Sequence, residues 1–338
     1  MTFLSIVIPC FDEEACLDEL HRRVSAVARA VAGDDHEIVL IDDGSRDGTW
    51  AAMTRIAAAD PQVMAINLSR NHGHQLALTA GLDLARGERI LILDADLQDP
   101  PELLPDMLAA MDSQRADVVY AVRRQRAGES LAKRASAAIF YRLLDKLTDT
   151  SIPLDAGDFR LMSRRALDAL LAMPEQARFI RGMVAWIGFR QVPFAYDRAE
   201  RHAGETHYPF AKMLSLAFDA VTGFSTAPLR FASHAGLALT GFSFLILAYI
   251  AVGWLTGTAV AGWTSLMLVV VGLGAVQMFV LGMIGEYLGR LYIESKKRPL
   301  YIVADVIGTA REDTVLGYRG DKMAASEIPG GNGIRPIR

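Results

Sequence analysis

Leu91-Ile92-Leu93-Asp94-Ala95-Asp96-Leu97-Gln98-Asp99 is an apolar run that breaks off into acids. Two carboxylates one residue apart, followed by the Gln98 amide, supply hard oxygen ligands. They leave coordination positions open for a phosphate, which suits Mg²⁺ or Mn²⁺ bridging a diphosphate. The same residues also read as an acidic turn ahead of a helix, because Pro100-Pro101-Glu102 has the form of a helix start. A second acidic loop runs from Asp42 to Thr49 (Asp-Asp-Gly-Ser-Arg-Asp-Gly-Thr). In it, Asp42 and Asp43 are read as acceptors for a nucleobase imide or ribose hydroxyls. Ser45, Asp47 and Thr49 are read as turn and cap residues. His72 and His74 have no spacing that demands a metal and are read as loop residues near a ligand.

Those loops need a scaffold that brings them together. Strand patterns occur at Leu4 to Ile8, Glu37 to Ile41, Val63 to Leu68, Ile90 to Leu93 and Val118 to Ala121. Helical patterns lie between them at Ala15 to Ala32, Thr49 to Ala59, His74 to Arg86 and Glu102 to Met111. Continuous apolar strands alternating with helices predict an α/β fold with a doubly wound, mostly parallel sheet. Loops at the carboxyl ends of such strands share one edge, where this architecture binds ligands. Further on, Arg123 to Arg134 is a polar, basic loop, followed by an amphipathic helix bearing Ile139, Phe140, Leu143, Leu144 and Leu147 on one face. Phe210 to Phe224 is an apolar helix suited to a membrane interface or to the soluble core. Leu300 to Val303 reads as a strand able to add to a neighbouring subunit's sheet, and the tail from Ala324 is expected to be disordered.

Hydrophobic residues make up 51% of the 338, and they are concentrated late in the chain. No Asp, Glu, Lys or Arg occurs from Phe231 to Gly285, which is long enough for two membrane spans. We place these near Phe231 to Leu255 and Ser265 to Tyr287. Arg230 before them and Arg290, Lys296, Lys297 and Arg298 after them put both flanks on the cytoplasmic side. Met1 to Pro9 lacks the form of an export signal. Cys10 and Cys16 fit a reducing compartment. A net charge of −4 argues against general nucleic-acid binding.

Pro9-Cys10-Phe11-Asp12-Glu13-Glu14, the Asp42 to Thr49 loop and Asp94-Ala95-Asp96 together resemble the family 2 glycosyltransferases of the GT-A fold. The corresponding patterns there are P-x-[YF]-[ND]-E, D-D-G-S-x-D-G-T and D-x-D. Four further pieces resemble the polyprenyl-phosphate glycosyltransferases, the group of dolichol-phosphate mannose synthase, GtrB and ArnC. They are Asp94 to Glu102, Arg70-Asn71-His72-Gly73, Gly157-Asp158-Phe159-Arg160-Leu161 and Arg201 to Tyr208. Two C-terminal spans complete the likeness, which covers about Leu4 to Ile307.

The resemblance implies four regions: a cytosolic catalytic domain (1–209), a juxtamembrane amphipathic helix (210–230), two transmembrane helices (231–289), and a C-terminal strand and tail (290–338). It implies that Pro9, Phe11, Glu13, Asp42 and Asp43 line a uridine pocket, with Arg70 on the donor. Asp94, Asp96 and Gln98 hold Mg²⁺ or Mn²⁺ on the donor diphosphate, and Asp158 faces the sugar as a base or an orienting group. Arg123, Arg134 and Ser136 grip the acceptor phosphate, while Arg201 and Tyr208 close over the site. Residues 206 and 207 depart from the usual pattern, being Thr206 and His207 where Ser and Lys are frequent.

The implied reaction is inverting transfer of a hexose, glucose first, from a UDP-sugar to undecaprenyl phosphate at the bacterial inner membrane. A UDP-linked amino-arabinose derivative or GDP-mannose is the alternative donor. The product would feed decoration of a surface polymer by way of a flippase, and a homo-oligomer is compatible. A processive polysaccharide synthase would need a Q-x-x-R-W motif and more spans, and a decayed scaffold would have lost the strand-end acids.

Overall fold

The computed structural model describes residues 2–123, 156–196, 227–256 and 262–308. The chain begins β1 (Leu4–Cys10), α1 (Leu17–Ala32), β2 (His36–Asp42), α2 (Thr49–Ala59), β3 (Val63–Leu68), α3 (His74–Leu84) and β4 (Arg89–Ile92). A 3₁₀ turn (Pro101–Leu103) then leads into α4 (Leu104–Ser113), β5 (Val118–Arg123), β6 (Ala156–Ser163), α5 (Arg164–Ala172), α6 (Ile180–Trp186) and β7 (Gln191–Tyr196). The described chain continues with α7 (Ala227–Leu255), α8 (Trp263–Ser295) and β8 (Val303–Ile307).

The eight described strands form one sheet in the order β7-β5-β6-β4-β1-β2-β3-β8. β4, β1, β2 and β3 run parallel, so their carboxyl ends lie along one edge. Successive residues of β1 point to opposite faces, and both faces are covered. Leu4, Ile6 and Ile8 pack with α1, α2 and α4, whereas Val7 packs with α3, α5 and α6. That double burial explains the continuously apolar strands, each buried Leu, Ile or Val contributing roughly 1.5–3 kcal/mol. α3 lies close on the sheet because Gly81 has no side chain; a Cβ there would stand 2.4 Å from Ile41 Cδ1 and 2.5 Å from Val7 Cγ1. This packing sets the position of the amino end of α3.

Two strands escape a pattern-based reading. β6 runs antiparallel to both β4 and β5, and its apolar run is interrupted by Arg160, which is only 2% exposed. β7 contains Pro193, a residue a sheet tolerates at its margin, and β7 is indeed the last strand on that side.

The C-terminal strand corrects an expectation. It forms at Val303–Ile307 rather than Leu300 to Val303, and it pairs antiparallel with β3 of its own sheet instead of a neighbour's. Ser69 N donates to Ile302 O at 2.9 Å and Tyr301 OH donates to Asp83 at 2.8 Å, which anchors the chain after α8. Between β7 and β8, Leu229–Ile246 and Val269–Ser295 are long and apolar enough to cross a membrane, with almost none of their side chains buried. The helices expected around Ile139 to Leu147 and Phe210 to Phe224, and the tail from Ala324, lie outside the described residues.

Candidate active site

The chain lays β1, β2 and β3 in one direction and then returns to place β4 on the other side of β1. At such a reversal the flanking loops diverge and open a crevice beyond the carboxyl ends. A cavity of about 360 Å³ lies there. Pro9 and Cys10 enter it from the end of β1, with Phe11 and Glu13 from the following loop. Asp43 comes from beyond β2, Asn71, Gly73, His74 and Ala77 from the entry to α3, and Asp94, Ala95 and Asp96 from beyond β4. Phe11 is 41% exposed, a free aromatic face at the rim.

The two loops that frame one wall are stitched to each other. Asp12 N donates to Ser45 Oγ (3.0 Å), Glu13 N to Thr49 Oγ1 (2.9 Å), Arg46 N to Asp12 Oδ1 (2.7 Å) and Gly48 N to Glu14 Oε2 (3.0 Å). Asp12 adopts φ 56°, a left-handed conformation that directs its carboxylate to Arg46. Gly44 adopts φ 69°, and a Cβ on it would stand 2.6 Å from Arg70 C and Asn71 N. Gly44→Ala is therefore expected to cost at least about 1–2 kcal/mol. It should also displace Asn71, which lines the cavity, so the variant should show a lowered melting temperature.

The neighbouring acids Asp42 and Asp43, expected to act together, have different surroundings. Asp42 is 2% exposed, accepts from Ser45 N at 3.1 Å and from the Ser45 hydroxyl, and does not line the cavity; it holds the turn. Asp43 lines the cavity and accepts from His72 N (2.7 Å) and Gly73 N (2.9 Å). It thereby ties β2 to the entry of α3. Arg70 also lies off the lining, its guanidinium donating to Asn71 O at 3.1 Å.

Beyond β4, Asp94 and Asp96 both face the cavity, whereas Gln98 is 6% exposed and off its lining. Leu97 at φ 58° turns the chain inward between them. Gln98 contributes through its main chain, donating from N to Asp96 Oδ1 at 3.1 Å. The Pro100-Pro101-Glu102 reading as a helix start is met by the 3₁₀ turn, which Glu102 fastens to α1 through a bidentate pair with Arg23 (2.7 and 2.6 Å). Helix capping and cavity lining thus fall to different residues of one loop.

Asp158, on β6, lies beside His74. Asp158 Oδ2 accepts from His74 Nε2 at 3.1 Å and from Gln75 Nε2 at 3.2 Å. Arg160 and Arg181 each stand 3.6 Å from Oδ1. Burial alone would raise the Asp158 pKa, but the His74 hydrogen bond and the two guanidinium charges hold it well below the usual carboxylate range. Asp94 goes the opposite way. Its desolvation, opposed by His74 and reinforced by the charges of Asp158, Asp99 and Asp96, pushes its carboxyl up to about 6. Two nearby acids of the same type are thus shifted in opposite directions by their surroundings, a pattern that marks functional-site candidates.

Sequence patterns had singled out Pro9, Phe11, Glu13, Asp43, Asp94, Asp96 and Asp158, and the fold brings all of them to or beside the cavity. They had passed over Gln75 and Arg181, and had left His74 without a partner. Nothing in the local sequence pairs these residues with Asp158; His74 and Gln75 were signalled only by their position just after the Arg70 to Gly73 run at the start of a helix, and Arg181 by nothing. Arg123 ends β5. Arg134, Ser136, Arg201 and Tyr208 lie outside the described residues.

An acid-lined cavity of nucleotide size at the reversal point of a doubly wound sheet, in a chain with a membrane-length helix pair, marks a membrane-associated α/β enzyme. The family model described as Glycosyl transferase family 2 matches residues 5–171. An uncharacterized glycosyltransferase of Bacillus subtilis (strain 168), YkcC, is 44% identical over 307 residues, covering 90% of this chain and 94% of the relative. A prophage bactoprenol glucosyl transferase homolog of Escherichia coli (strain K12) is 38% identical, over 90% of this chain and 99% of its own. The bactoprenol glucosyl transferase of Shigella phage SfV is 38% identical, over 89% and 97%. This chain belongs to glycosyltransferase family 2, and its sheet domain has the GT-A fold that the loop motifs implied.

Proposed function

We propose that the enzyme transfers a glucosyl group from UDP-glucose to a polyprenyl phosphate, with inversion at the anomeric carbon and release of UDP. The observation that carries this reading is the acid-lined cavity at the sheet edge of a chain whose α7 and α8 are fit to hold it at a bilayer. The relatives named as bactoprenol glucosyl transferases, matched over nearly their full length, support the choice of sugar and carrier. The positive residues flanking the spans support a cytoplasmic catalytic domain and a product that needs a flippase.

The donor set fits a divalent cation. Asp94 Oδ1 is buried and accepts no hydrogen bond among the described residues, with His74 Nε2 3.8 Å away. Asp96 shares the cavity. No three His, Cys, Asp or Glu side chains among the described residues are arranged to ligate a metal by themselves. Donor phosphate oxygens and water would complete the shell, as is usual for Mg²⁺. Such an ion would neutralise charge on the departing diphosphate. Since Asp94 must be ionised to ligate, the affinity for Mn²⁺ in the presence of UDP should fall as pH drops below about 6. Calorimetric titration between pH 5 and 7.5 measures this, and a flat profile would remove Asp94 from the ligand set.

The residues themselves do the rest. Phe11 offers its face to the base, and Asp43 holds the α3 entry against the donor. An anionic oxygen of the lipid phosphate attacks the anomeric carbon, the bond from that carbon to the diphosphate oxygen breaks, and UDP leaves with the electron pair. No proton need be removed, so positioning dominates the rate enhancement. Asp158, ionised at all working pH, supplies negative charge beside the carbon as positive charge develops on it.

The test is incubation of membranes containing the enzyme with radiolabelled UDP-glucose, undecaprenyl phosphate and Mn²⁺ or Mg²⁺. Label extractable into organic solvent, matched by UDP release, is the expected result. Label only in a growing polymer, or only from GDP-mannose or a UDP-linked amino-arabinose derivative, would replace the reading.

A further inference from the structure

Two arginines stand beside Asp158, and they differ in how fully they are committed. Arg160 is buried and spends its donors on its own main chain, Nε on Asp158 O (3.2 Å) and NH2 on Gly157 O (3.0 Å). Arg181 has no such anchoring. Its side chain is 31% exposed, its NH2 stands 3.6 Å from Asp158 Oδ1, and its Nε, though buried, has no hydrogen-bond partner among the described residues. A second guanidinium with unused donors beside the group that faces the sugar calls for an anion.

The helix that carries Arg181 also links the site to the membrane pair. Just before it, Gln176 N donates to Glu294 Oε1 at 2.8 Å, and Glu294 lies in the last turn of α8. Gln75 clamps the start of the same helix, its Oε1 accepting from Ile180 N at 2.9 Å while its Nε2 holds Asp158. At the other end Trp186 is 62% exposed, and a Trp ring suits the headgroup level of a bilayer. A segment of a dozen or so residues therefore runs from the end of a membrane helix, past Asp158, to an exposed tryptophan.

We propose that Arg181 binds the phosphate of the lipid acceptor, and that α6 forms the rim over which that phosphate passes from the membrane surface to the anomeric carbon. This rests on the reading of the acceptor as a polyprenyl phosphate and names a residue for it among those whose positions are described. Arg suits the role because its fork grips two phosphate oxygens at once, which a lysine ammonium does not reproduce.

The test is steady-state kinetics of full-length wild type, Arg181→Lys and Arg181→Gln in detergent or nanodiscs. Undecaprenyl phosphate and UDP-glucose are varied separately, alongside UDP binding by calorimetry and melting temperature. The expected result is an acceptor KM raised about tenfold or more in Arg181→Gln and less in Arg181→Lys. The UDP affinity and the KM for UDP-glucose should stay within twofold. A short soluble prenyl phosphate should show the same loss, because the contact is to phosphate and not to the tail. A fall in kcat with the acceptor KM unchanged would make Arg181 only a counter-ion of Asp158 and overturn the proposal. So would loss of UDP binding or of the folding transition in both variants, which would mark a structural arginine. A wild type that labels no lipid at all would instead bring down the acceptor reading, and this proposal with it; a wild type that is active beside variants of normal acceptor KM brings down this proposal alone.

Discussion

Asp96→Ala is expected to abolish sugar transfer while the protein still inserts into membranes. Asp96 lies beyond β4 on the cavity lining, whereas the helices long and apolar enough to cross a membrane, α7 and α8, belong to another part of the chain. If Asp96 ligates the proposed cation, losing its carboxylate would remove several kcal/mol of charge stabilisation, about 10³-fold or more in rate. Asp96→Asn separates charge from scaffolding, since its amide oxygen still accepts the Gln98 N–H that Asp96 accepts now. Nearly equal losses in the two variants are expected, measured as lipid-linked label per unit of membrane-inserted protein. Activity in the Asn variant above about a tenth of wild type would take Asp96 out of the metal site.

Asp158→Asn is expected to lower kcat by about 10²–10³-fold, the range for removing one electrostatic stabiliser of a transition state, with UDP affinity retained. It should also destabilise. Arg160 is nearly fully buried and would lose its counter-charge, and breaking such a pair costs about 3–5 kcal/mol. The sign of the pH dependence follows from the depressed pKa. A carboxyl held below its unfolded value of about 3.9 contributes stability that is fully present above that value. The contribution is lost as pH falls toward the folded pKa. The gap in melting temperature between wild type and variant should therefore be constant above about pH 5 and narrow in stronger acid. The same depression makes Asp158 a weak base, so kcat should show no acidic limb belonging to it. A limb near neutrality that vanishes in Asp158→Asn would restore the general-base role.

Much of the catalytic half was legible before any coordinates. Parallel strands buried on both faces must be continuously apolar, so β1 to β4 stood out. Acids that interrupt such runs at Asp43, Asp94 and Asp96 could only sit at strand ends. β6 and β7 did not stand out, because a buried Arg160 and the marginal Pro193 contradict strand patterning and are tolerated only in their particular places in the sheet. β8 illustrates a different limit. The sequence reads as a strand at Leu300 to Val303, a few residues early and without revealing a partner; the strand forms at Val303–Ile307, and its partner is β3, more than two hundred residues earlier.

Local order of residue types determined the apolar strands, the acidic loops that follow them and the uncharged stretch fit for a bilayer, because each depends on neighbours a few positions apart. Tertiary structure alone decided which acid does what. Asp42 and Asp43 are adjacent in sequence, yet one is spent on Ser45 and the other faces the cavity. Asp94 and Asp158 are the same residue type, yet solvent exclusion raises one while His74, Arg160 and Arg181 lower the other. Those differences come from electrostatic and hydrogen-bonding partners brought together across the sheet, and linear spacing carries no record of them.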